Sequence, residues 1–329
     1  MNSSDQIEPV EFPDEQAVCW EYSGFAARRS ASRRLDETLS ACGAFEWVTF
    51  AYLAWLCSIV AICHRNIAHA PRVLTLHVAI ATAIVLLART AARSQSVVVD
   101  FARHWYPLPL YIFLFEELGS LVHAIFPGWL DRWFIAFDYN LAGVHPSAWL
   151  ANFASPALND SMQFAYMTYF LYLLLLPALL YIKRERASFW TVMVSTAIAH
   201  YSVYIIAVLL PVESPYYSLA TLHLPALPGG YCTALIELIE RFGRVHGAAF
   251  PSAHVAGSMV AILASWRYRR WLFWVCLPFF VSMCVATVYG RYHYVADVLA
   301  GLAVGTIGLV AGERLMQKRS VLPSVVRAE

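Results

Sequence analysis

Two short stretches of the chain carry the residue types that chemistry needs. The first, AAFPSAHVAG (248 to 257), sets Pro251, Ser252, Ala253 and His254 at the entry of an apolar segment. Proline is at home in the first turn of a helix. The unpaired N–H groups of that turn, with the positive end of the helix dipole, make an anion site over Ser252, Ala253 and His254. The second stretch, TVYGRYHYVADVLAG (287 to 301), sets Arg291, His293 and Asp297 at the entry of the last apolar segment. His293 and Asp297 are four residues apart and so share a helical face, where the carboxylate holds one imidazole N–H and decides which nitrogen stays free. A histidine held in this way is a candidate nucleophile, and a second imidazole, His254, with an ordinary pKa near about 6.5, suits proton transfer around neutrality. Each stretch also has a plain structural reading, an N-cap serine beside an interfacial histidine and a His–Asp pair tying a helix end. Chemistry gains weight if both reach the same place in the fold.

The elements that must position them are membrane helices. Of 329 residues, 60% are hydrophobic and only 14% charged, against about 25% charged in a soluble chain. Mean hydropathy is +0.56. A net charge of +1 provides no basic field for nucleic acid, and no RNA-module signature is present, so that class is excluded. Seven cysteines with no C-x-x-C pair read as packing residues, not as a disulfide framework or a thiolate metal site.

A helix crosses the hydrocarbon layer in about 20 residues. Segments 47–64, 73–88, 161–182, 187–212, 245–266 and 271–290 are free or nearly free of charge. Segments 104–127, with Glu116 and Glu117, and 292–312, with Asp297, are apolar apart from carboxylates that must face protein or water. Eight spans are therefore expected. Their connections sort by charge: 17 of the 23 Lys and Arg residues fall in the two termini and in alternate loops, and six (Arg65, Arg72, Arg132, Arg241, Arg244, Arg291) in the others. Because basic loops stay in the cytoplasm, both termini are expected there, with His254 and His293 on the periplasmic, extracellular or lumenal face. No secretory signal peptide is apparent. The aromatic segment 128–160 is expected to lie at headgroup depth, and the Pro- and Gly-rich segment 211–246 to form a cap.

PSAH resembles the P-S-G-H motif, and RYHYVADVLAG the H-Y-x-x-D-x-x-x-G motif, of the type 2 phosphatidic acid phosphatase (PAP2) superfamily, whose fold also occurs in vanadium haloperoxidases. The resemblance covers roughly 104 to 312. It implies an all-α polytopic membrane bundle: a tail expected to be disordered over 1–40, two N-terminal spans over 41–100, a six-span catalytic domain over 101–315, and a second tail over 316–329. It also implies phosphoryl transfer through a phosphohistidine on His293, with Asp297 orienting it, His254 as general acid, and no metal or other cofactor. Two departures stand out. Where the phosphatases place a Lys and an Arg-Pro, this chain reads PVESPYYS (211 to 218), and six residues before His293 it has Thr287 instead of an arginine. Arg291, or Arg241 or Arg244 from the cap, is the expected substitute cation, since a guanidinium is the natural bidentate partner of phosphate. The weakened first motif and the YNLAGVHPS stretch (139 to 147) resemble the branch containing inositol phosphorylceramide synthases, which implies transfer of a phospho-headgroup between membrane lipids.

Other readings stay open: a lipid phosphate phosphatase acting on phosphatidic acid or a polyprenyl diphosphate, a non-catalytic binding protein, a metal site on the two histidines and Asp297, or a transporter. A transporter accounts for the spans but not for the gathering of polar groups at one interface. His200 is expected to be a packed core histidine. Asp131, Asp138 and His145 are expected to be solvated interfacial residues unless they line a headgroup pocket.

Overall fold

The computed structural model describes residues 40–222, 227, 229–243 and 245–325. The expected tail over 1–40 therefore lies almost wholly outside the described residues, as does Arg244. Regular structure among the described residues is helical, apart from an isolated parallel bridge between Val212 and Ala248.

Six helices are long and apolar enough to cross a membrane: α1 (Ala44–Ile62), α2 (Ala70–Arg93), α7 (Pro156–Ile182), α8 (Arg186–Leu209), α12 (Arg270–Tyr289) and α13 (Val295–Val325), whose qualifying stretch is Val295–Lys318. The fold is thus the expected all-α polytopic bundle, but two of the eight expected spans take another form. In the 104–127 region, Pro107 and Pro109 remove backbone donors. The chain instead forms α3 (Val97–Trp105) and α4 (Pro107–Glu117), followed by a 3-10 turn at Leu118–Ser120. Helical structure starts before the apolar run because its charges are paired: Asp100 accepts from Arg186 at 2.8 Å and Arg103 reaches the fully buried Glu46 at 2.7 Å. In the 245–266 region, α11 (Ala253–Tyr268) has 16 residues, about 24 Å at 1.5 Å per residue and short of the roughly 30 Å hydrocarbon layer. It tolerates that mismatch because α7, α8, α12 and α13 surround it.

Close approach around α11 is written in glycines. A Cβ on Gly301 or Gly305 of α13 would lie 2.8 Å from the Ser252 carbonyl oxygen or 2.5 Å from that of Ala256 on α11, and a Cβ on Gly312 would overlap Ser195 of α8. Small residues at this spacing let helix backbones meet without a bulky side chain between them. Gly301 is the terminal glycine of the second stretch, so its identity reflects contact with the first.

Short helices fill the connections on one end of the bundle: α5 (Asp131–Ala142), α6 (Pro146–Ala151), α9 (Pro215–Ser218) and α10 (Tyr231–Gly243). α5 exposes Trp133, Phe137 and Tyr139, as an interfacial helix would. α10, inside the expected cap, packs on α7. At the other end, the basic helix termini converge in ion pairs of Arg269 with Glu185, Arg267 with Glu313 and Arg186 with Asp100. The entries of α11 and α13, carrying His254 and His293, sit at the end away from this basic cluster.

Candidate active site

The two stretches meet through their backbones before any side chain is involved. Ser252 is the N-cap of α11, and its Oγ accepts the Val255 N–H at 3.3 Å. Its own N–H donates to the carbonyl of Asp297 at 3.1 Å. The Ser252 amide is therefore occupied, and Pro251 sits one residue before the cap instead of inside the first turn. The first-turn amides of Ala253 and His254 have no acceptor one turn back, which is the donor pattern an anion requires.

His293 is 6% exposed. Its Nδ1 lies 2.8 Å from the Ala249 carbonyl oxygen and 3.3 Å from Asp297 Oδ2. Both partners only accept, so Nδ1 carries the proton and Nε2 keeps its lone pair. Asp297, fully buried in the first turn of α13, also accepts the Tyr294 N–H at 2.8 Å. Its charge there complements the helix dipole. The His254 and His293 ring centroids are 6.1 Å apart. His254 packs between Tyr166 and Tyr169, with ring centroids at 4.6 and 4.5 Å. The Tyr169 hydroxyl donates to His200 Nε2 at 2.9 Å, since His200 Nδ1 donates to the Thr196 carbonyl. His200 is thus a core histidine, and Gly257 gives it room: a Cβ there would lie 2.5 Å from His200 Cε1.

Asp131 and Asp138, expected to be solvated, are instead buried clamps at 5% and 3% exposure. Seven residues apart, they share a face of α5. Asp138 accepts the N–H groups of Val295 at 2.9 Å and Ala296 at 3.2 Å, capping α13 directly behind His293. Burial raises its carboxyl pKa above the usual range, against the pull of those two amides. Asp131 accepts from the Tyr294 hydroxyl at 2.8 Å and from the N–H groups of Glu213 and Ser214. One helix therefore holds both the turn before α13 and the PVES segment. The Val212–Ala248 bridge carries that segment against the entry of α11.

A cavity of about 560 Å³ opens on this arrangement. His293, His254, Ala253 and Ala249 form part of its wall, and Ser252, Asp297 and Arg291 do not. Ser252 and Asp297 lie behind the wall, bonded to its residues or to each other. Arg291 is 7% exposed in a left-handed turn (φ 67°), and its carbonyl accepts the N–H of Tyr216, a cavity residue. Arg241, on α10, is exposed and also absent from the wall. The acidic pair divides: Glu116 faces the cavity, whereas Glu117 receives His77 of α2 at 2.8 Å. Among the described residues no group of three or more His, Cys, Asp or Glu is arranged to hold a metal ion. Sequence reasoning missed the Ala249 carbonyl, which no side chain signals, and the role of the α5 carboxylates, whose amide partners lie far away in sequence.

Neither the comparison with curated proteins nor that with solved structures returns a match. The sequence model of the PAP2 superfamily matches residues 132–311, a range that begins in α5, includes both histidine stretches and ends within α13. With more than half of its length matched, the chain belongs to the PAP2 superfamily.

Proposed function

We propose that this protein is an integral-membrane phosphotransferase that moves a phospho-headgroup from a phospholipid to a lipid alcohol through a phosphohistidine on His293. Superfamily membership supports a phosphatase or phosphotransferase type of function. The observation that carries the finer reading is the pair of acceptors on His293 Nδ1, which leaves Nε2 as the nucleophile beside His254. In the first step Nε2 attacks phosphorus, the bond from phosphorus to the donor's glyceride oxygen breaks, and His254 gives that oxygen its proton. In the second, the acceptor alcohol attacks phosphorus, its proton passes to His254, and the phosphorus–nitrogen bond breaks to restore His293. The amides of Ala253 and His254 receive the phosphoryl oxygens, and Arg291 contributes positive charge from behind the wall. Water as acceptor would give a hydrolase by the same path, releasing the headgroup phosphomonoester from a phosphodiester donor and inorganic phosphate from a lipid phosphomonoester.

Partition of the intermediate tests the choice. With phosphate-labelled phospholipid, label is expected to move to an added lipid alcohol and not to water. Release of inorganic phosphate from a simple lipid phosphate as the dominant reaction, indifferent to acceptor, would leave a phosphatase. The site is further proposed to face away from the cytoplasm. In a chain freed of native cysteines, an impermeant thiol reagent should label Tyr231→Cys in intact cells and spare Arg270→Cys; the opposite pattern would invert the topology.

A further inference from the structure

The wall of the cavity has an unusual chemical balance. Seven tyrosines line it, and at least four have their hydroxyls committed elsewhere: Tyr111 donates to the Met193 carbonyl at 2.8 Å, Tyr204 to the Tyr111 carbonyl at 3.0 Å, Tyr292 to Gln163 at 3.0 Å, and Tyr169 is bound to His200 at 2.9 Å. What those four have left for a ligand is ring surface. The charged groups of the described wall, histidines aside, are the carboxylates Glu116, Glu213 and Glu240, with no Lys or Arg among them. Glu213 is bound to His246 at 2.8 Å. Glu116 sits on α4 against Gly243 of α10, where a Cβ on that glycine would lie 3.0 Å from its Oε1.

A polyol headgroup needs donors and acceptors in alternation, because every hydroxyl is both. Rings and carboxylates give acceptors and π faces but few donors. An organic cation needs only those two: carboxylate charge and the negative faces of aromatic rings. Resting on the phosphotransfer reading of this same site, we infer that the cavity takes a phosphodiester whose headgroup alcohol bears an ammonium or trimethylammonium group, with the phosphoryl group at the histidine pair and the cation against Glu116 and the tyrosine rings.

The test is calorimetric binding of phosphocholine, phosphoethanolamine and inositol 1-phosphate to the full chain in an uncharged maltoside detergent. At least one cationic ligand is expected to bind about 10-fold or more tightly than inositol 1-phosphate. Glu116→Gln should erase that preference, and Glu116→Asp should recover part of it. Equal or tighter binding of inositol 1-phosphate, no detectable binding of either cationic ligand, or a preference unchanged in Glu116→Gln each overturns the inference. The wild-type ranking decides it even if the variants do not fold. The phosphotransfer reading fails separately: binding of phosphocholine with the stated preference, but no phospholipid turned over, refutes that reading and keeps this one. His293-dependent transfer of a polyol headgroup does the reverse.

Discussion

Replacing His293 with alanine is expected to remove essentially all phospholipid turnover, by at least about 10³-fold, because positioning and electrostatics are all that remain once a nucleophile is deleted. The imidazole is held at Nδ1 by Ala249 and Asp297, and the neighbouring wall residues Ala249 and Ala253 have no nucleophilic side chain. The entry of α13 does not depend on His293, since Asp138 and Asp131 hold it through Val295, Ala296 and Tyr294. His293→Ala is therefore expected to remain folded, with helical content and melting behaviour close to the parent. His254→Ala has a separate signature. A general acid matters most for a poor leaving group, so a donor releasing nitrophenol should recover much of the rate in His254→Ala and none in His293→Ala. Equal rescue of both would remove the distinction between the two roles.

The second large effect is expected at Asp297. Asparagine keeps the shape and still accepts the Tyr294 N–H, but it cannot stabilise the positive charge that grows on the imidazole as Nε2 bonds to phosphorus. The loss of kcat is expected to be about 10²-fold, with KM little changed, on the scale of a general acid–base contribution. A larger fall would follow if Asp297 alone set the tautomer. Here the Ala249 carbonyl, at 2.8 Å the nearer of the two acceptors, keeps the proton on Nδ1 in the variant as well. A wild-type kcat in Asp297→Asn would mean that the carboxylate has no part in the reaction.

Much of this was legible in the sequence, and for physical reasons. Long apolar runs must become helices in lipid, where every backbone group needs an internal partner, so the bundle could be read directly. The His–Asp pair was legible because four residues is one helical turn. The breaks came where charge and proline compete with hydropathy. The 97–120 region begins with charged residues whose partners, Glu46 and Arg186, lie far away in sequence, so charge-free runs alone place its start too late. α11 is short because protein, not lipid, surrounds it. Asp131 and Asp138 looked like solvated interfacial carboxylates, since nothing local reveals that the N–H groups they cap belong to residues more than 80 and 150 positions on. Arg291, the expected substitute cation, lies in a left-handed turn and outside the cavity wall. Glu116 could be seen in the sequence, but which of the two adjacent glutamates turns inward depends on His77 claiming the other.

The central claim is that the headgroup phosphate passes through a covalent bond to His293. Trapping tests it most directly: the purified protein is mixed with phosphate-labelled phospholipid, quenched at high pH, digested and mapped. The expected result is an acid-labile, alkali-stable phosphoramidate on the peptide containing His293, absent from His293→Ala and discharged when a lipid alcohol is added. Label on a different residue, or steady turnover by a chain that carries no labelled histidine, would contradict it.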